Sequence, residues 1–153
     1  MEKKYDSTEA TMWHKDNVER IMNVIITELQ NRAEHHDESK LSSPEKETYD
    51  KYIPLLKKYK YGTAEYLKVR EAMAKEGLSH HYEVNRHHAE HYPNSDISYM
   101  TLVDLVEMFV DHYASSLNSD TDYFKGEKMN SERYHYDKQL YQILINTAKE
   151  YFE

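Results

Sequence analysis

Three short groups of residues in this chain have the composition of a metal site. The first lies within residues 34–40, where His36 and Asp37 are adjacent. Imidazole and carboxylate ligands together suit first-row divalent metals, with Mn, Fe, Zn and Mg as candidates. Lys40 follows within one turn and can neutralise a phosphate group. Taken alone, a His-Asp pair is more typical of a charged surface turn than of a site.

The second group is residues 80–91, in which five of twelve residues are histidine. On a helix these side chains form two neighbouring stripes, and either stripe can supply two imidazoles to a metal ion. One stripe contains His81, Asn85 and His88, and the other contains His80, His87 and His91. The alternative is an exposed polar helix whose histidines have no ligand role.

The third group lies in the apolar stretch 101–111, where Asp104, Glu107 and Asp111 share one helical stripe at i, i+3 and i+7. Burying three unpaired carboxylates costs several kcal/mol or more. A cationic partner is therefore expected, and metal ions, Lys40, Arg86 or histidines would serve. The alternative is an exposed acidic stripe on an amphipathic helix.

Helical periodicity covers most of the chain, and no stretch alternates as a strand would. The predicted helices span residues 7–29, 31–39, 44–59, 63–77, 80–91, 97–117 and 137–152. Residues 118–130 are predicted to form a polar loop. The predicted fold class is all-α, a compact helical bundle in which residues 1–153 form a single domain.

Local signals set several of these boundaries. Asn31 can cap the second helix, Ser42 and Glu45 form a capping box for the third, and Gly77 is a typical helix-terminating glycine. Tyr61-Gly62 is predicted to break the chain. The last helix is predicted to turn five residues inward: Leu140, Ile143, Leu144, Ala148 and Phe152.

Composition excludes several classes of function. The chain has no cysteine, which removes disulfides, thiolate nucleophiles and cysteine-type zinc sites. Its net charge of -8 disfavours binding to nucleic acid or to anionic membranes. No leading apolar segment or membrane span is evident, so a cytoplasmic location is expected. A small phosphorylated substrate remains compatible, because a bound cation can invert the local field.

The order of these residues resembles the HD-domain superfamily of metal-dependent phosphohydrolases. The pattern of that family is a first His, then His-Asp, then often further histidines, then a last Asp on a helix. His14, His36-Asp37, the histidines of residues 80–91 and Asp111 occur in this order. Residues 36–40 also resemble the His-Asp-x-x-Lys of the HD-GYP branch, although the Glu and Gly positions of that branch are not matched.

A closer resemblance is to a family of short HD-like proteins from bacteria and their phages. It extends from about His14 to the end of the helix that carries Asp111. The elements that carry it are Arg32, His36-Asp37-x-Ser39-Lys40-Leu41, Pro44-Glu45, Tyr61-Gly62, His80-His81, Asn85-Arg86-His87-His88, His91 and Asp104-Leu105-x-Glu107-Met108. A phage-encoded member would act in the host cytoplasm.

The resemblance implies a set of site residues around one or two divalent ions (Mn, Fe, Zn, Mg, Co or Ni). His36 and Asp37 would be direct ligands, with His14 and Asp111 completing the shell of a single ion. A second ion would be held by His80, His81 or His88, and the secondary candidates are His87, His91, Asp104 and Glu107. Glu38 would position the attacking water, and Lys40 and Arg86 would hold the substrate phosphate.

The function that the resemblance implies is hydrolysis of a nucleotide or other small phosphate ester by metal-activated water. One alternative is a non-catalytic helical module that binds a metal or a nucleotide. Another is a phage protein that interacts with a host partner. No membrane or nucleic-acid partner is expected, and a homo-oligomer is left open.

The distance between His14 and His36 limits these assignments. The two residues are 22 positions apart, which corresponds to about 33 Å of rise in one unbroken helix. They can share an ion only if the helix breaks between them, as a cap at Asn31 would permit. Otherwise His14 has no ligand role.

Overall fold

The structure is a computed structural model that describes residues 5–60, 62–119 and 121–153, and throughout these ranges every regular element is helical. The predicted all-α class is therefore confirmed. The α-helices are α1 (Thr8–His35), α2 (Glu45–Leu56), α3 (Ala64–Met73), α4 (Ser79–Val84), α5 (Leu102–Ser119), α6 (Tyr123–Arg133) and α7 (Lys138–Tyr151). Tyr61, half of the predicted Tyr61-Gly62 break, lies outside the described residues. Within those ranges, no helix combines the length and apolar character needed to cross a membrane.

The chain divides into two compact units, Met1–His36 and Asp37–Glu153. The prediction of a single domain is not tested by this division. The first unit contains α1, a continuous helix of 28 residues. The predicted break at Asn31 and the separate helix 31–39 are therefore wrong. The residues around Asn31 are good helix formers, and Arg32 Nε donates to Glu28 Oε1 one turn earlier at 3.1 Å, so the helix continues.

The C-terminal helices α5, α6 and α7 of the second unit enclose a hydrophobic core. Its buried members are Phe109, Tyr123, Leu144, Ile145 and Ala148. The predicted extent of α7 is confirmed. The set of residues predicted to face the core is only partly right. Ile143 is 59% exposed, whereas Ile145 is buried.

The predicted loop at residues 118–130 is wrong, because most of it forms α6. Asp122 caps this helix, its side chain accepting hydrogen bonds from the backbone N–H groups of Phe124 at 2.9 Å and Lys125 at 3.3 Å. Burial of Tyr123 and Glu127 on one side of α6 shows that packing stabilises a helix whose composition is mostly polar.

The segment from α3 to α4 is continuous, and Gly77 does not end a helix there. Residues Ala74–Leu78 form a π-helical segment that leads directly from α3 into α4. A Cβ at Gly77 would lie 2.4 Å from Thr48 Oγ1. The glycine is therefore required for the close approach of this segment to α2, not for a left-handed cap.

The predicted helix over residues 80–91 is wrong beyond Val84. Asn85 is extended, with φ -107° and ψ 102°, and ends α4. A short 3₁₀ turn, Ala89–His91, follows. The bend at Asn85 folds the chain back, so His87 and His88 return towards His81 instead of continuing along a helical stripe.

Candidate metal centre

Asp37 has an unusual backbone conformation. Its φ of 55° and ψ of 18° place it in the left-handed region, which Asp tolerates better than most residues. It precedes a 3₁₀ turn, Glu38–Leu41, and its carbonyl accepts a hydrogen bond from the backbone N–H of Lys40 at 2.9 Å. The left-handed backbone at Asp37 therefore begins the turn that leads to Lys40.

Three imidazoles gather around the Asp37 carboxylate. The Nε2 atoms of His81 and His87 each lie 3.5 Å from Asp37 Oδ1. His88 Nε2 lies 2.8 Å from His81 Nε2. One ligand atom from each of these four residues lies within 4.8 Å of all the others. We call Asp37, His81, His87 and His88 the histidine cluster.

A carboxylate supports the outer nitrogen of two of these rings. His81 Nδ1 lies 2.9 Å from Glu45 Oε2, and His87 Nδ1 lies 3.1 Å from Glu107 Oε1. A neutral imidazole that donates its Nδ1–H to a carboxylate keeps a lone pair on Nε2. Both rings then direct an electron pair towards the Asp37 carboxylate, which is the arrangement that metal-binding histidines adopt.

Burial keeps the imidazoles of His81 and His88 neutral near pH 7. It lowers the pKa of His88 to about 3, with repulsion from His87 and His81 adding to the effect. Burial also lowers the pKa of His81, helped by the charge of Lys40 and opposed by Asp37 and Glu45. Neutral imidazole is the form that binds metal ions.

Lys40 lies beside the cluster, and its predicted role as a phosphate ligand stays a prediction. Its ammonium group forms an ion pair with Asp37 Oδ2 and lies 5.0 Å from the ring centroid of Tyr49. Burial and the nearby charges of Asp37 and Glu45 raise the pKa of the Tyr49 phenol. Tyr49 is therefore protonated, and Lys40 is the cation beside the Asp37 carboxylate.

Asp104, the first carboxylate of the acidic stripe of α5, has the charge partner that its burial requires. Arg86 donates from Nε to Asp104 Oδ1 at 3.1 Å and from Nη2 to Asp104 Oδ2 at 2.9 Å. Burial tends to raise the pKa of Asp104, but hydrogen bonds from Arg86, Thr101 and Tyr92 lower it well below its usual range. Since two guanidinium donors contact this fully buried carboxylate, the geometry gives no support to Arg86 as a phosphate ligand.

A comparison with protein families places the whole chain. A model described as a family of unknown function, DUF5662, matches residues 3–150. The chain belongs to this family. No curated protein matches the chain, and no solved structure does. Any reaction of this DUF5662 protein must therefore be inferred from its own residues.

The remaining predicted ligands are His36, Asp111 and His14. His36 is the C-cap residue of α1 and directly precedes Asp37, and a carboxylate oxygen of Asp111 lies within 4.8 Å of a His87 ring nitrogen. Their ligand roles stay predictions. His14, by contrast, lies in the same unbroken helix as the residues leading to His36. Because about 33 Å separates them along the axis, the prediction that both bind one ion is wrong.

Three other predicted residues lie outside the histidine cluster. His80 Nδ1 lies 2.8 Å from Glu45 Oε1, so His80 forms a hydrogen bond with that carboxylate. His91 Nδ1 donates to the Tyr82 carbonyl at 2.9 Å, a contact that ties the 3₁₀ turn to α4. Glu38 is exposed, and its predicted role in positioning water is untested.

Glu45 has partners other than the one that its local sequence predicts. The predicted capping box of Ser42 and Glu45 is wrong, because the Glu45 side chain contacts Ser39, His80 and His81. The pairing spans up to 36 positions, so no local pattern could predict it. His87, only a secondary candidate from the sequence, is a central member of the cluster.

Proposed function

We propose that this protein is a metal-dependent phosphohydrolase of the HD type that acts on a nucleotide or other small phosphate ester. The observation that carries the proposal is the histidine cluster, in which three imidazoles and the Asp37 carboxylate converge. Support also comes from the sequence order of His36-Asp37, the later histidines and Asp111. We propose one or two divalent ions as the cofactor.

The distances from Asp37 Oδ1 to the His81 and His87 rings fit a shared metal ion. Two ligand atoms bound at about 2.0–2.1 Å in tetrahedral geometry are roughly 3.4 Å apart. The His81 and His87 Nε2 atoms each lie 3.5 Å from Asp37 Oδ1. A ring nitrogen that presents a lone pair to a carboxylate oxygen is repelled by that oxygen. A cation or a proton between the two atoms removes the repulsion. The donor set of nitrogen and oxygen suits Zn, Mn or Fe.

In this proposal the residues around the cluster have distinct roles. A bound divalent cation supplies a water of lowered pKa and polarises a phosphoryl oxygen. Asp37, His81, His87 and His88 would hold the cation. Lys40, beside Asp37, would provide positive charge to a phosphoryl oxygen of the substrate. The net charge of -8 favours small substrates over extended polyanions, which the protein would repel.

The test compares Asp37→Asn with the wild type. Asn also tolerates a left-handed backbone, so the variant should keep the fold while it loses a charged ligand. We expect metal content to fall at least about tenfold and phosphate release from a nucleotide panel to disappear. Metal content is measured by mass spectrometry and helicity by circular dichroism.

The matched control is Asp50→Asn on α2, which removes the same charge from an exposed carboxylate paired with Lys46. This variant should behave as wild type in both assays. If the wild type binds no divalent metal, or if Asp37→Asn keeps full metal content and turnover, the proposal is refuted.

A second candidate is a non-catalytic metal-binding module. It is favoured by the ion pair of Arg86 with Asp104, because this pair engages a cation that was expected to hold substrate phosphate. This candidate predicts tight metal binding without turnover of any phosphorylated compound. It also predicts a large loss of helicity on chelation, whereas a catalytic site should keep a mostly folded metal-free form.

A further inference from the structure

We infer that Glu45 is a positioning residue that sets which nitrogen of His81 carries its proton, and so directs the lone pair of His81 Nε2 into the histidine cluster. This inference rests on the proposed metal function for its purpose. The hydrogen bonds that support the inference involve protein atoms, so the tautomer of His81 can be measured in metal-free protein.

Glu45 is a fully buried carboxylate at the first residue of α2, with 0% of its surface exposed. Its Oε1 atom lies 2.8 Å from His80 Nδ1. Its Oε2 atom lies 2.9 Å from His81 Nδ1 and 3.0 Å from Ser39 Oγ. Three hydrogen-bonding groups therefore surround one buried carboxylate, which can accept from all three of them when it is ionised. An ionised carboxylate only accepts hydrogen bonds, so all three neighbours must donate.

The neighbouring amide of Asn85 supports the same direction for these hydrogen bonds, with Glu45 as the acceptor. Asn85 Nδ2 donates one hydrogen to Ser39 Oγ and one to the His81 carbonyl, each at 2.9 Å. Both amide hydrogens are then used, although Nδ2 also lies 3.0 Å from His81 Nδ1. Ser39 accepts from Asn85 and so donates its own hydrogen to Glu45. Ser39 and His81 therefore both donate to the Glu45 carboxylate.

The consequence for His81 is a single orientation and a single tautomer. With its proton on Nδ1, the ring presents Nε2 as an acceptor, 3.5 Å from Asp37 Oδ1 and 2.8 Å from His88 Nε2. His81 is 2% exposed, so water cannot easily replace Glu45 as the partner of Nδ1. His80 is more exposed and can exchange its partner for water.

This difference predicts different results for two variants of similar size at position 45. In Glu45→Gln the amide keeps one oxygen, which satisfies two donors if it faces His81 and Ser39 but only one if it faces His80. The amide should adopt the first orientation, so His81 keeps its proton on Nδ1 and His80 moves its proton to Nε2. In Glu45→Met no acceptor remains, and His81 loses the defined tautomer.

The direct test is nitrogen-15 NMR of the histidine rings in metal-free protein, with assignments from His80→Gln and His81→Gln. We expect wild-type His81 to show the Nδ1–H tautomer. Glu45→Gln should retain it for His81 and switch His80 to Nε2–H. A wild-type His81 protonated on Nε2, or a Glu45→Gln variant in which neither ring changes, would overturn the inference. Glu45→Gln is nearly isosteric, so the test remains valid even if Glu45→Met fails to fold.

The second test is titration with Zn²⁺ alone. Loss of a carboxylate that supports a metal-binding histidine typically weakens binding 10–100-fold. We expect a Kd increase of roughly that size for Glu45→Met and less than about tenfold for Glu45→Gln. The controls are Glu47→Gln and Glu47→Met, which change an exposed carboxylate in the same first turn of α2. Both should bind Zn²⁺ as the wild type does.

The outcomes separate the two proposals. If the wild type binds no Zn²⁺ but His81 shows the Nδ1–H tautomer, the metal proposal fails and the positioning of His81 stands. Equal losses for Glu45→Gln and Glu45→Met would mean that charge, not the hydrogen bond to His81, is what the metal requires. That result would overturn the positioning role.

Discussion

Replacing Gly77 by alanine tests the contact that holds α2 against the segment leading into α4. An added Cβ at Gly77 would lie 2.4 Å from Thr48 Oγ1, and 2.7 Å from both Thr48 Cβ and Thr48 Cγ2. Thr48 is buried on α2, so its side chain cannot rotate into solvent. The backbones must separate by several tenths of an ångström, and α4 begins only two residues after Gly77.

The expected magnitude follows from two opposing terms. Overpacking of a tight contact costs about 1–3 kcal/mol, and three atoms under 3.0 Å favour the upper end. A helical glycine replaced by alanine gains about 1 kcal/mol. The net loss of unfolding free energy should be about 1–2 kcal/mol, which lowers Tm by roughly 2–8 °C in a chain of this length.

The assay is urea unfolding followed by circular dichroism, with Gly126→Ala as the control. Gly126 lies inside α6, and a Cβ there would meet nothing within 4 Å. That substitution should stabilise the protein by about 0.5–1 kcal/mol. Thr48→Ala removes two of the three clashing atoms, so the double variant with Gly77→Ala should be less destabilised than the sum of the single variants by about 1 kcal/mol.

Two results would refute this reasoning. Gly77→Ala could be as stable as Gly126→Ala, which would mean that α2 and the π-helical segment do not approach as closely as described. The two substitutions at positions 48 and 77 could instead prove additive, which would place the cost of Gly77→Ala somewhere other than at Thr48.

Two further predictions concern buried ionisable groups. In metal-free protein, the free energy of unfolding should fall as pH drops from 6.5 towards 3, because the unfolded chain protonates His88 while the folded His88 has a pKa of about 3. The unfolding free energy should change by up to about 1.4 kcal/mol per pH unit. Urea titrations in the presence of a chelator should show a smaller dependence on pH for His88→Gln. Arg86→Met should lower the unfolding free energy by about 1–3 kcal/mol because it leaves buried Asp104 without its cation, and adding Asp104→Asn should restore part of that loss. Unchanged stability with weakened binding of inorganic phosphate would instead return Arg86 to a substrate role.

The all-α class could be predicted because it depends on local periodicity. The apolar spacing that defines α5 and α7 lies within each helix, and Asp137 caps α7 through hydrogen bonds to the nearby Gln139 and Leu140 N–H groups. The helix α6 could not be predicted in the same way. Its sequence is polar, and it depends on burial of Tyr123 and Glu127 against other helices.

The composition of the site could be predicted, but its geometry could not. The His-Asp pair and the histidine-rich stretch were visible in the sequence, and they supply the Asp37, His81, His87 and His88 of the cluster. The expected helical stripes were wrong, because Asn85 bends the chain after Val84. The supporting contacts of Glu45 with His81 and of Glu107 with His87 join residues that are distant in sequence, and local patterns carry no information about such pairs.

The left-handed backbone at Asp37 gives a way to compare members of the family by sequence alone. Position 37 has a φ of 55°, which β-branched residues rarely adopt, and in the proposed function it must also supply a carboxylate. Members that abandon metal chemistry should therefore drift first to Asn or Gly at this position, which relaxes the charge while retaining the turn. The identity of this one residue should then separate metal-dependent members from members that keep only the scaffold.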